Sequence, residues 1–215
     1  MISRKEFDDK FRVKRNDLIA GFDEAGRGPL CGPVVAAGCI LPPDFDDERI
    51  NDSKQLTDKE RRECFKEIKA KALYYHISVI PPQTIDKINI LESSRLGMQQ
   101  ALDAMLDEGA DIAYILTDYM RLDTPLIPQS DLKKGDAQSL CIASASILAK
   151  VTRDDIMIEL DKRYPQYDLA RHKGYPTKEH LELLRKYGVA KEIYRLSYGP
   201  VRKILDEEKN GKQEK

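Results

Sequence analysis

From Gly28 to Pro43 the chain carries no charged side chain, although 34% of its 215 residues are charged. Such a run belongs in a protein interior. It is shorter than the roughly 20 apolar residues that a membrane-spanning helix needs. Pro29, Pro33, Pro42 and Pro43 also bar a helix through it. The central part, Val34-Val35-Ala36-Ala37-Gly38-Cys39-Ile40-Leu41, therefore reads as a core strand stopped by Pro42-Pro43. A shorter apolar run, Leu18-Ile19-Ala20-Gly21-Phe22, precedes it and ends at Asp23-Glu24-Ala25-Gly26-Arg27-Gly28-Pro29.

The remaining segments alternate in period. Residues 1–17 are polar and fit a short helix or an arm. Thr57-Asp58-Lys59-Glu60 is a capping box that opens a helix to about Lys71. Tyr74 to Ile80 alternates as a strand and stops at Pro81-Pro82. Residues 92–108 place Leu96, Ala101, Leu102, Met105 and Leu106 on one helical face. Ala113 to Thr117 is a strand ending at Asp118, and an extended piece follows near Ser130–Lys133. Ala137 to Arg163 reads as one long helix, broken by Pro165. From Pro176 the chain is helical and charged, with a solvated tail from Glu207. This order predicts an α/β fold with a helical C-terminal appendage. The expected parts are an arm (1–17), a catalytic domain (18–164) and an appendage (165–215).

Composition narrows the class. A formal net charge of -1 argues against a protein that coats nucleic acid indiscriminately. Cys31, Cys39, Cys64 and Cys141 form no C-x-x-C pair, and His76, His172 and His180 supply no zinc spacing. Free buried thiols in a reducing compartment are expected. The first residues lack the apolar core of a signal peptide. A soluble cytoplasmic protein follows, with no membrane partner and, by default, a monomeric state.

The chemistry concentrates at strand ends, where α/β sheets gather their sites. Asp23 and Glu24 stand where one strand runs out and Asp118 where another does, while Asp136 fits the N-cap of the long helix. An Asp at an N-cap needs no metal to explain it. Adjacent Asp23 and Glu24 are harder to dismiss, because successive strand residues face opposite ways. Four converging carboxylates repel one another unless a cation sits among them. Oxygen donors without His or Cys suit Mg²⁺ or Mn²⁺, and two such ions suit in-line displacement at a phosphodiester. Gly26-Arg27-Gly28 adds unhindered backbone amides beside a guanidinium, fit for a phosphate or a sugar hydroxyl. The glycines match neither a dinucleotide loop nor a P-loop.

The run Gly21-Phe22-Asp23-Glu24-Ala25-Gly26-Arg27-Gly28-Pro29-Leu30-Cys31-Gly32-Pro33-Val34-Val35-Ala36-Ala37 closely resembles the first motif of ribonuclease HII. The resemblance continues at Asp52-Ser53-Lys54-Gln55-Leu56, at Ile85 to Leu91 and at Lys134-Gly135-Asp136. It ends with Ser144 to Asp154 and His172-Lys173-Gly174-Tyr175-Pro176-Thr177. It implies a ribonuclease H-like fold with a mixed sheet flanked by helices. It also implies hydrolysis of the RNA strand of RNA–DNA duplexes, including single ribonucleotides embedded in DNA, leaving 5′-phosphate and 3′-hydroxyl ends. The implied catalytic and metal-binding acids are Asp23, Glu24, Asp118 and Asp136; which acid holds which ion stays open. The implied substrate contacts are the Gly26-Arg27-Gly28 turn and Tyr175, the latter against the deoxyribose 3′ of a ribonucleotide. Many relatives have Gly after the third acid, where this chain has Tyr119; Asp123 is a weaker competitor for that acid's role.

Lys54, Lys150, Arg153 and Lys173 are candidate phosphate contacts, with Lys150 and Arg153 three residues apart on one helical face. His172 is expected to be exposed. Residues 133–203 hold 15 Lys and Arg against 9 Asp and Glu, so near-neutrality overall conceals a basic stretch able to grip a duplex. A noncatalytic hybrid-binding module and a sugar-phosphate-binding α/β protein are the competing readings. The four retained carboxylates weigh against the first, and the incomplete phosphate loop against the second.

Overall fold

The computed structural model describes residues 2–51, 53 and 55–213, with side chains to residue 210. In chain order it contains α1 (Arg4–Asp9), β1 (Leu18–Ala25), β2 (Val34–Ile40), α2 (Asp58–Lys71), β3 (Tyr74–Ile80), α3 (Pro82–Ile88) and α4 (Ile90–Asp107). Then come β4 (Ile112–Asp118), β5 (Gln129–Leu132), α5 (Leu140–Arg163), α6 (Leu169–His172), α7 (Lys178–Tyr187) and α8 (Gly199–Gln213). No described helix is long and apolar enough to cross a membrane. All four cysteines are free and buried.

The chain divides into two compact units. The first comprises Met1–Ala25, Val35–Val79 and Ser94–Val151; the second comprises Gly26–Val34, Ile80–Ser93 and Thr152–Lys215. The sheet has the order β3-β2-β1-β4-β5. β1 runs antiparallel to β2 and parallel to β4, and β4 runs parallel to β5. This is the mixed sheet expected from the sequence. The capping box at Thr57 and Glu60 forms as read, and β3 spans the residues assigned to it.

In the first unit, Ala20 and Phe22 of β1 and Ala36 and Ile40 of β2 pack with Met98, Leu102 and Met105 of α4. Burying a side chain such as Phe22 stabilises the fold by about 2–3 kcal/mol. At Gly21 the backbone of α5 comes close: a Cβ there would overlap the main chain at Cys141 and Ile142. Gly21→Ala would push α5 off β1, at a cost of about 1–3 kcal/mol or more. Asp8 of α1 holds the start of α5 by accepting from the Cys141 amide at 2.9 Å. Burial pushes its carboxyl up to about 6, offset in part by hydrogen bonds from Ser139 and Cys141.

The second unit has its own core. Leu30, Cys31, Met157, Tyr167, Leu184 and Tyr194 cluster there with Val201 and Ile204 of α8. Three expectations are corrected. The long helix starts at Leu140, three residues later than read, and a separate 3-10 turn covers Gly135–Ala137. Pro82 does not merely end β3 but opens α3, since proline fits the first turn of a helix, where its missing N–H costs nothing. Strand β1 does not run out at Phe22 but continues through Asp23 and Glu24 to Ala25, paired with β2.

Candidate active site

The acids of the first unit are set by strand register. Phe22 of β1 pairs with Thr117 of β4, so Asp23 and Asp118 follow side by side where that pairing stops, Asp118 at the end of β4 and Asp23 inside β1, which runs on to Ala25 against β2. Asp23 is 5% exposed. Burial first, then the carboxylates of Glu24 and Asp118, push its carboxyl well above the usual range. Hydrogen bonds from Ser146 and from the Glu24 amide, the latter at 2.7 Å, act in the opposite sense. Ser146 is itself tied to Ser53 through their hydroxyls, 3.0 Å apart. Two sequence motifs that lie 93 residues apart thus meet behind Asp23.

Asp118 accepts from the Gly135 amide at 2.9 Å, and this bond joins the end of β4 to the turn that carries Asp136. Asp136 is buried, and its carbonyl accepts from Arg4 Nε at 3.4 Å. It lies within the 3-10 turn and does not cap α5; Ser139 does that, its hydroxyl accepting from the Ile142 amide at 3.1 Å. Tyr119 occupies the left-handed region at φ 69°, where glycine sits without strain. The tyrosine after the third acid is therefore tolerated at a backbone position that favours glycine. Asp123 lies beyond the strand end, its amide held by Gln99 at 2.9 Å.

All four candidates offer carboxylate oxygen, the donor that hard divalent ions take. Burial contributes most to the raised Asp23 carboxyl, and Glu24 and Asp118 both add to it, so the three carboxylates stand close enough to feel one another's charge. Among the described residues, no three His, Cys, Asp or Glu side chains converge closely enough to enclose an ion. The donor chemistry fits a divalent cation whose remaining ligands come from elsewhere, as substrate oxygens would.

The second unit carries the glycine turn and Tyr175. Gly26 has φ 102°, and a Cβ there would overlap Nε and Cδ of Arg153. A Cβ on Gly28 would lie 3.4 Å from the ring of Tyr175, which is 43% exposed. The turn and the aromatic ring expected to read the sugar are therefore neighbours. The Tyr175 carbonyl accepts from His180 Nδ1 at 2.9 Å, and His180 stacks on His172 with ring centroids 4.1 Å apart. His172 is buried, not exposed as the sequence implied; its Nδ1 accepts from the Gly174 amide at 3.1 Å. Burial pushes the His180 imidazole down to about 4, so it is neutral at pH 7.

The candidate phosphate contacts fare differently. Arg153 is 1% exposed and spends its guanidinium on the carbonyls of Pro33, Cys31 and Lys173, so it does not reach a substrate phosphate. Lys173 is half-buried, and its ammonium donates back to the Ala170 carbonyl. Lys150 is half-buried on α5. Lys54 and its neighbour Asp52 lie outside the described residues. The sequence reading missed Ser146, Arg195 and Tyr198. Ser146 stood inside a quoted motif, but nothing local marked it as the partner of Asp23. Arg195 and Tyr198 lay in a charged segment with no pattern to single them out.

Residues 20–201 match the family model described as Ribonuclease HII. Ribonuclease HII of Bacillus thuringiensis (strain Al Hakam) is 44% identical over 204 residues, covering 95% of this chain and 77% of that protein. The Desulfitobacterium hafniense (strain DSM 10664 / DCB-2) ribonuclease HII is 49% identical over 190 residues, covering 87% and 71%. Among solved structures, ribonuclease H2 from Pyrococcus horikoshii OT3 aligns with a TM-score of 0.71 at 24% identity, over 88% of this chain and 98% of that one. Bst-RNase HIII in complex with Mn²⁺ aligns at 0.70 and 18% identity, over 91% and 71%. These two likenesses bear on the fold. The family match and the sequence relatives, taken with acids side by side on neighbouring strands, establish that the chain belongs to the ribonuclease HII family and is an endoribonuclease of the ribonuclease H type.

Proposed function

We propose that this ribonuclease H cuts the RNA strand of RNA–DNA duplexes, including DNA duplexes with a single embedded ribonucleotide. The observation that carries the reading is the pairing of β1 with β4, which sets Asp118 beside buried Asp23, whose carboxyl is raised by burial and then by Glu24 and Asp118. Asp23, Glu24, Asp118 and Asp136 would hold divalent cations, Mg²⁺ or Mn²⁺ and two by preference. Bound there, such ions supply an activated water and charge stabilisation at the departing 3′-oxygen. A related fold, Bst-RNase HIII, has been solved with Mn²⁺, which supports a divalent requirement.

The chain's own groups have separable tasks. Ser146 and the Glu24 amide orient the Asp23 carboxylate, and the Gly135 amide orients that of Asp118. The backbone of Gly26, Arg27 and Gly28 meets the 2′-OH, the one group that separates ribose from deoxyribose. Tyr175 packs on the deoxyribose that follows the ribonucleotide, where no 2′-OH holds the ring away. Lys54, Lys150 and Lys173 contribute charge along the phosphate backbone. The products carry 5′-phosphate and 3′-hydroxyl ends.

Incubation with Mg²⁺ or Mn²⁺ and a DNA duplex bearing one ribonucleotide tests the reading, with an all-DNA duplex as control. A single cut on the 5′ side of the ribonucleotide is expected. Binding without cutting would favour a noncatalytic module, and cutting only in long hybrids would remove the embedded-ribonucleotide step.

A further inference from the structure

The second unit buries two guanidinium groups beneath the glycine turn. Arg195 is 0% exposed. Its Nη2 donates to the carbonyls of Gly26 at 2.6 Å, Gly32 at 3.0 Å and Pro33 at 3.1 Å. Its Nη1 donates to the Arg27 carbonyl at 3.0 Å, and its Nε to Gly32 at 3.1 Å. Tyr198 adds a second donor to the Arg27 carbonyl, at 2.7 Å, and bonds Arg195 Nη1 at 3.0 Å. Arg153 holds the far side of the same loop through Pro33 and Cys31 and ties it to Lys173, two residues before Tyr175.

All peptides here are trans, since the described chain contains no cis bond. In a trans peptide the carbonyl and the following amide point in opposite directions. Drawing the Gly26 and Arg27 carbonyls onto Arg195 therefore turns the Arg27 and Gly28 amides the other way. Neutral donors would satisfy the same carbonyls without burying charge. Two buried cations also repel each other: burial first, and then Arg195, lower Arg153 to about 10. An arrangement this costly calls for a return. A fixed positive charge behind outward amides gives one, because it strengthens them toward an oxygen-rich ligand.

We propose that Arg195, braced by Tyr198 and Arg153, is a positioning residue for ribose recognition, which aims the amides of the 26–28 turn at the sugar-phosphate of the ribonucleotide. The proposal rests on the reading of the turn under Proposed function. It assigns to a residue far along the chain the discrimination that the glycine turn expresses.

The test compares KM for the single-ribonucleotide duplex with the inhibition constant of an all-DNA duplex of the same sequence. Arg195→Lys supplies one point charge that cannot fork to several carbonyls. The ratio of the two constants is expected to collapse by about tenfold, mainly through KM with kcat changed less. Tyr198→Phe, which removes only a hydroxyl, should give a smaller loss of the same kind and keeps the question answerable if Arg195→Lys does not fold. For both variants the salt dependence of the inhibition constant should keep the wild-type slope, because no phosphate contact is lost. A ratio unchanged in a folded variant overturns the proposal. So does a salt slope shallower by about 0.9, the mark of a direct phosphate contact. If the wild-type protein neither cuts nor prefers the ribonucleotide duplex, the functional reading itself falls, and the proposal with it.

Discussion

The two units each concentrate charge of one sign, and they resolve it in opposite ways. In the first, Asp23 and Glu24 of β1 stand beside Asp118 at the end of β4, and burial, with the repulsion of the other two acids added, raises the Asp23 carboxyl. In the second, Arg153 and Arg195 lie beneath a loop and donate to six carbonyl groups, of which those of Gly32, Pro33 and Lys173 take two bonds each. A carboxylate can shed its charge by taking a proton; a guanidinium at pH 7 cannot. The difference teaches where adaptability is kept. The Asp23 carboxyl, already raised, can take a proton, whereas the arginines are locked by their bonds to the backbone above them.

The largest expected effect follows from the acids. Asp118→Asn keeps an acceptor for the Gly135 amide and removes one of the charges facing Asp23. If Asp118 holds a cation as proposed, cleavage should fall by about a thousandfold or more. The metal-free protein should melt at the same temperature or higher, because repulsion has been relieved. Activity assays with Mn²⁺ and a melting curve without metal check both halves. Activity retained near the wild-type level would move the role of third acid to another residue, with Asp123 first in line. A lowered melting temperature would mean that the carboxylate is structural.

The second unit offers the next effect in size. Tyr175→Ala removes a ring that is 43% exposed, while the backbone bonds of Tyr175 to His172 and His180 remain. Stability should change little. The kcat/KM for a single embedded ribonucleotide should drop by about tenfold or more, the usual worth of an aromatic platform, with a smaller drop on long hybrids. An equal loss on every substrate would show that the ring supports the loop and does not sense the junction.

The same contrast explains what the sequence disclosed. The acids were legible because an apolar run that meets carboxylates is a local pattern, first at Asp23-Glu24 and again where Ile115-Leu116-Thr117 precede Asp118, although only β4 ends at its acid and β1 runs on to Ala25. The capping box at Thr57 was legible for the same reason. The supports of the second unit were not. Arg195 reaches carbonyls 162 to 169 residues away in the chain, and no helical or strand periodicity encodes such a contact. Arg153 carries the sequence signature of a solvated helix face and is nonetheless buried, because Gly26 leaves room for its stem. His172 misled in the same way: a His in a basic loop reads as exposed until its stacking partner His180 is in view. Asp136 was found as an acid but assigned to the wrong local structure. The 3-10 turn at Gly135–Ala137 interrupts what looked like one continuous helical start.

The smallest expected effect separates the backbone at the end of β4 from the side chain that follows Asp118. Tyr119 follows Asp118 at φ 69° with its side chain 61% exposed, and its amide donates to the Leu132 carbonyl at 3.0 Å. A left-handed non-glycine residue costs about 1–2 kcal/mol, and glycine gives back part of that through a more disordered unfolded chain. Tyr119→Gly should therefore stabilise the protein by about 0.5 kcal/mol, visible as a slightly higher urea midpoint. The Leu132 bond needs only a backbone amide, so the register that sets Asp118 should survive and cleavage should stay within about twofold of wild type. A higher midpoint with unchanged activity would place the rigidity of the acids in the β4–β5 pairing. A higher midpoint with activity lost would instead make the strained tyrosine part of what aims Asp118, and the strand end would then resemble the braced loop of the second unit more closely than its charge implies.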